Sequence, residues 1–167
     1  MKSADWAANV PAPLTAWSAD ELARLPEYYV MNASDTMPAA VAPGMPDRAS
    51  IEACTWLPDD ELAVYTAEFA RTGFQGGLNW YRTAVTPAFT RHLAVYANRT
   101  MQIPSTFVAG EADWGYRQSP GALESMQANA CTDYRGTHIV PGAGHWVQLE
   151  QPQAVVQHIV EFVNDVF

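Results

Sequence analysis

Cysteine is scarce. Only two occur in 167 residues, Cys54 and Cys131, far apart and without Cys-x-x-Cys or Cys/His spacing. That argues against a disulfide framework and against a thiolate zinc site, and suits buried thiols in a cytoplasmic protein. Positive charge is scarce as well. Nine Lys and Arg stand against 18 Asp and Glu, a net charge of −9, which disfavours nucleic acid or an anionic membrane surface as a partner. No apolar stretch approaches the length that spans a bilayer. The opening Met1-Lys2-Ser3-Ala4-Asp5-Trp6, followed by Pro11 and Pro13, lacks the apolar segment of a signal peptide, so a cytoplasmic location is expected. There is no internal repeat and no low-complexity tract. The histidines, His92, His138, His145 and His158, show no ligand spacing, so neither a metal nor another cofactor is expected.

What is present is a globular composition, 49% apolar and 16% charged, long enough for one domain with a core or for part of a larger one. Residues 1 to about 50 carry Pro11, Pro13, Pro26, Pro38, Pro43 and Pro46, which break any long helix. Short helices are expected over 19–25 and 35–41, each near a Ser or Asp that can cap it. Pro26 to Val30 reads as packing, and no alternating strand pattern occurs in this third, which is lid-like or linker-like. At Pro58-Asp59-Asp60-Glu61 a proline and three acids suit a first helical turn. Leu62, Tyr65 and Phe69 then recur at helical spacing, and Gly73 suits the end. Gly76 and Gly77 precede a second amphipathic run from Leu78 to about Ala84, so a helical hairpin is expected.

After Asn98 the pattern becomes α/β. Residues 103–109 suit a buried strand, with Pro104 tolerated at its start. Ser119 and Pro120 suit the cap and first residue of a helix to about Asn129, and Thr137 to Val140 suits the next strand. Together they read as one βαβ crossover with parallel strands. The last helix, from Pro152 to about Asn164, carries a wide apolar face of the kind that covers a sheet. Loops leaving the C-terminal ends of parallel strands share one rim, where open α/β folds place ligands. Asp113 and His145 sit on those two loops. An imidazole presented by the Pro141-Gly142-Ala143-Gly144 turn, with a carboxylate to fix its tautomer, is equipped as a general base. Taken singly, Asp113 reads as a turn residue and His145 as a loop histidine. The order acid then histidine, near the end of the chain, is that of α/β-hydrolases.

Three blocks make the likeness specific. Gly73-Phe74-Gln75-Gly76-Gly77-Leu78-Asn79-Trp80-Tyr81-Arg82 resembles the helical-cap signature of soluble epoxide hydrolases. Residues 103–113 resemble the strand and loop that bring the acid of that family's triad. Gly144-His145-Trp146, with Glu150 and Pro152, resembles the loop that brings its histidine. The resemblance covers most of residues 50–167. It implies a partial α/β-hydrolase fold, with residues 1–98 an N-terminally incomplete helical cap and 99–167 the C-terminal part of the core. It also implies a small apolar epoxide or related electrophile, and water, as substrates. In that family an aspartate attacks an epoxide carbon to give an ester. Cap tyrosines, matched here by Tyr81, donate hydrogen bonds to the oxirane oxygen, and a histidine–aspartate pair, here His145 and Asp113, activates the water that hydrolyses the ester. Read without the signature, Tyr81 is a packed aromatic beside Trp80.

The sequence departs from the family's pattern in one important respect. It contains no Gly-x-Ser-x-Gly elbow and no His-Gly pair before residue 100. Asp113-Trp114-Gly115 imitates an aspartate elbow, but an elbow needs a small residue two positions before the nucleophile and Glu111 stands there. Tyr28 and Tyr29 are weak substitutes for a second cap tyrosine. The nucleophile is therefore expected on a complementary N-terminal half. The alternatives are a dehalogenase or esterase on the same fold, or a half-domain without catalysis.

Overall fold

A computed structural model describes residues 13–167. Pro11 and the Met1-to-Trp6 stretch lie outside the described residues. The chain divides into two compact units: the described residues up to Ala53 together with Thr100–Phe167, and Cys54–Arg99. The described segment before residue 54 groups with the α/β part. The contacts are specific. The Leu14 amide donates to the Arg117 carbonyl at 3.4 Å, and the Tyr29 ring lies 3.5 Å from that of Trp114, centroid to centroid.

In the first unit, helix α1 (Ala19–Leu22) begins at Ser18, whose hydroxyl accepts from the Glu21 amide. Glu21 in turn accepts from the Thr15 amide and from Arg24. These bonds, the one from the Thr15 backbone first, hold its carboxyl below the usual value. Helix α2 (Met37–Val41) starts later than expected. Thr36 occupies the cap position without a side-chain bond, and Pro38 lies in the first turn, where its missing N–H costs nothing. Helix α3 (Arg48–Glu52), capped by the Asp47 carboxylate, was not expected. Prolines at 43 and 46 mark its start as a break, but five residues are too few to show periodicity.

The second unit holds three α-helices and, after them, a 3-10 turn over Ala94–Tyr96. In α4 (Asp59–Thr72) Pro58 is the cap, the three acids fill the first turn, and Gly73 ends the helix with φ 69°. Helix α5 (Gln75–Val85) includes Gly76 and Gly77 instead of starting after them. Glycine's entropic cost is tolerated in a first turn that Phe74 anchors, its ring stacked on Phe69 with centroids 4.7 Å apart. Helix α6 (Pro87–Leu93) opens on a proline after an extended Thr86, the conformation that a following proline imposes.

The α/β part is a parallel pair, β1 (Ser105–Gly110) and β2 (Tyr134–Val140), with Phe107 opposite Thr137 and Gly110 opposite Val140. The crossover between them is helical, as expected. Its α-helix, α7 (Ala122–Ser125), starts after Gly121, whose φ of 72° interrupts the turn that Ser119 and Pro120 were expected to open. A π-turn over Met126–Ala130 completes it. After β2 come a short helix, α8 (Val147–Glu150), and the long α9 (Pro152–Val166). Arg135 pairs with Asp133 at 2.6 Å and with Asp165 at 3.0 Å, tying the start of β2 to the end of α9. Both partners, Asp133 more than Asp165, hold its guanidinium further toward the charged form.

The core lies under the ends of the strands. Val140, Ala143 and Val147 are buried against Val108, Ala154 and Val155. Cys131 is buried, but Cys54 is only partly covered, contrary to the expectation of two buried thiols. Much apolar surface stays open. Val156, Ile159, Val160 and Val163 of α9 are each between 43% and 58% exposed, although a parallel sheet is normally covered on both faces. No helix among the described residues is long and apolar enough to cross a membrane.

Open apolar surface of this extent drives association. Sedimentation velocity across a concentration series should therefore show self-association that weakens in the double variant Val156→Lys, Val160→Lys. A wild-type chain that stays monomeric throughout would contradict this reading of the surface.

Candidate active site

The two strands run parallel, so Gly110 and Val140 end at the same edge, and the loops that follow are joined by their backbones. The Glu111 amide donates to the Val140 carbonyl and the Ala112 amide to the Ala143 carbonyl, both at 2.9 Å. The approach is so close that a Cβ at residue 110 would stand 2.2 Å from the Gly144 carbonyl oxygen and 2.5 Å from that of Ala143. Only glycine fits there. On the other loop Gly142 takes a left-handed conformation, φ 69°, directly after the proline that follows β2. Gly144, its partner in the expected turn, is not among the glycines with positive φ. The glycine whose lack of a side chain matters most is therefore Gly110, the last residue of β1.

These loops bring two of the expected residues together. His145 Nδ1 lies 3.1 Å from Asp113 Oδ1. The same oxygen accepts the Gly115 amide at 2.7 Å, which holds the carboxylate in place. The environments differ in the sense a general base requires, since the Asp113 side chain is 13% exposed and that of His145 53%. A carboxylate on Nδ1 keeps the proton there and leaves Nε2 with a free lone pair. The Trp114 ring is parallel to the imidazole within 5°, at 5.7 Å, and Trp146 meets it edge-on at 5.2 Å.

Tyr81 lies in the second unit, on α5, and is 72% exposed, with Trp80 beside it 79% exposed. It is not a packed aromatic of that unit. Tyr29 rests on Trp114, with its hydroxyl donating to the Gln118 side chain. His92 lies in the last turn of α6, and His138 of β2 stacks on His158 of α9. No group of three or more His, Cys, Asp and Glu among the described residues could hold a metal ion. Sequence reasoning missed Trp114 as part of the site. Its place immediately after the acid was visible, but its stacking depends on how the two loops meet.

An acid and a histidine on adjacent loops at the carboxyl edge of parallel strands, in that chain order, define the α/β-hydrolase class. No family model matches the chain. Individual relatives are clear. The chain is 38% identical over 125 residues to epoxide hydrolase A of Mycobacterium tuberculosis, covering 72% of this chain and 35% of that one. To an epoxide hydrolase of Caballeronia sordidicola it is 37% identical over 112 residues, covering 67% and 33%. Potato (Solanum tuberosum) epoxide hydrolase I superposes with a TM-score of 0.63 at 26% identity, over 81% of this chain and 41% of that structure. The chain is thus an epoxide hydrolase-like α/β-hydrolase in sequence and fold, and it spans about a third of the length of the curated relatives it matches.

Gly110→Ala should force the two loops apart. Hydrogen exchange at the Glu111 and Ala112 amides is expected to speed up about tenfold or more, the effect of losing roughly 1.4 kcal/mol of local stability. Unchanged exchange at both amides would show that the close approach does not hold the loops.

Proposed function

We propose that the chain supplies the water-activating part of an epoxide hydrolase active site. The observation that carries the proposal is the Asp113–His145 pair, with Nδ1 held and the imidazole half-exposed. The likeness to epoxide hydrolases supports the substrate class, a small apolar epoxide with water as co-substrate.

The reaction then runs in two steps. An aspartate on the part of the fold this chain does not span attacks an epoxide carbon, the C–O bond breaks, and an ester forms. Tyr81 donates a hydrogen bond to the departing oxygen, which is held as an alkoxide until it takes a proton from solvent. A phenol suits this role because it is neutral at pH 7 and adds no charge to an apolar pocket. In the second step His145 Nε2 takes a proton from water as the water oxygen adds to the ester carbonyl. Asp113 stabilises the imidazolium so formed. Collapse of the adduct releases the diol and restores the carboxylate, and the proton on His145 leaves with the product or with solvent.

In this reading Cys54–Arg99 acts as the substrate-facing cap, and the partner is a complementary N-terminal half carrying the nucleophile. Cys54 and Cys131 are free thiols, which suits a cytoplasmic location.

The test is reconstitution with a polypeptide that carries an aspartate elbow from a related hydrolase. Epoxide turnover is expected. Tyr81→Phe should lower it about 100-fold or more, the scale of losing one donor to a developing oxyanion, while leaving hydrolysis of an activated ester nearly unchanged. Turnover of a haloalkane but of no epoxide, insensitive to Tyr81→Phe, would contradict the proposal and favour a dehalogenase. No turnover of any of the three substrates in a complex that demonstrably forms would favour a half-domain without catalysis.

A further inference from the structure

Glu150, the last residue of α8, folds back over the turn that carries His145. One of its carboxylate oxygens accepts the Gly144 amide at 2.9 Å and the other the Trp146 amide at 3.1 Å. The Ala143–Gly144 and His145–Trp146 peptides are therefore gripped by one side chain. The peptide between Ala143 and Gly144 is held at both ends, since its carbonyl accepts from the Ala112 amide at 2.9 Å while its N–H donates to Glu150. The next peptide, between Gly144 and His145, lies between these anchors. Its carbonyl oxygen is the atom that stands 2.2 Å from where a Cβ on Gly110 would be. The backbone of His145 is thereby fixed from the acid's loop on one side and from Glu150 on the other.

We propose that Glu150 is a positioning residue for His145, fixing the Ala143–Gly144 and His145–Trp146 peptides and through them the aim and tautomer of the imidazole toward Asp113. The catalytic meaning of this rests on the proposed function, but the positioning itself does not. A helix cap would explain the Trp146 bond alone, because a side chain late in the first turn can reach back to the cap residue's amide. It does not explain the bond to Gly144, which lies two residues further out in the loop. A carboxylate also suits the site for a chemical reason. It offers two acceptor oxygens and no donor, so it can take two amide hydrogens at once. An amide side chain offers one acceptor, and a methyl none.

The test reads His145 directly, in the full chain with ¹⁵N-labelled histidines, by long-range ¹H–¹⁵N correlation across a pH series. In the wild type the neutral ring of His145 is expected to carry its proton on Nδ1. In Glu150→Gln, which loses one acceptor, the Nδ1–H to Nε2–H ratio should fall roughly two- to tenfold, the range spanned by the net contribution of one hydrogen bond. In Glu150→Ala it should fall further. The signals of His92 should not change. An unchanged ratio in both variants, with folded amide spectra, would overturn the proposal and leave Glu150 a helix cap only.

If the variants lose the folded spectrum, the wild type decides. Slow hydrogen exchange at the Gly144 and Trp146 amides together with a proton on Nδ1 supports the proposal. Exchange at those amides as fast as in an unstructured peptide overturns it. Because no turnover is read, failure of the hydrolase reading and failure of this one are separately visible.

Discussion

The site depends on a steric constraint. The loop after β1 and the loop after β2 touch at Gly110, where there is room for a hydrogen and not for a methyl group. Two backbone hydrogen bonds fasten the loops beside that contact, and the acid and the histidine project from the fastened segment. A carboxylate–imidazole pair on flexible loops would lose ordering entropy each time it formed. Here the backbone carries that cost in folding, and the 3.1 Å approach of Asp113 to His145 follows from it. The strands serve the same end. Their parallel register, Gly110 opposite Val140, brings the two loops out at one level.

The chemistry of the site was more legible in the sequence than its mechanical support. Asp113 and His145 could be paired because parallel topology places successive loops on one rim, and the βαβ pattern was strong. The helix α4 was legible for local reasons, with its acids at the start and Gly73 at the end. Shorter elements were not. Helices α2, α3 and α7 have five residues or fewer, and their starts are set by single residues such as Thr36 or Gly121, not by periodicity. Gly110 read as an ordinary strand end, because the carbonyl it must avoid comes from 34 residues further along the chain. Trp114 and Glu150 were misweighted for the same reason. One was seen as part of a false elbow and the other as part of a loop signature, and their actual partners appear only when the loops meet.

The two units differ in how complete they are. The α/β unit has a small core of Val140, Ala143 and Val147, sufficient to seat the acid and the histidine. Its long helix α9 uses one side, through Ala154 and Val155, and leaves Val156 and Val160 open. In the helical unit α4 has no buried residue, and Leu62, Tyr65 and Phe69 are all exposed. Both features fit a chain that spans about a third of the length of its relatives, in which such faces meet further parts of the fold. The proposed division of labour follows the same line, with ester formation on the part not spanned here and ester hydrolysis on His145.

That division is tested most directly by mass spectrometry of the covalent intermediate. The chain with His145→Ala, reconstituted with a half that carries the aspartate nucleophile, should accumulate an adduct on that half. Its mass should exceed the unmodified half by the mass of the epoxide, and it should persist. The wild-type chain should show the adduct only transiently while diol is released. An adduct that turns over equally fast with and without His145 would contradict the account, because water activation would then come from another group.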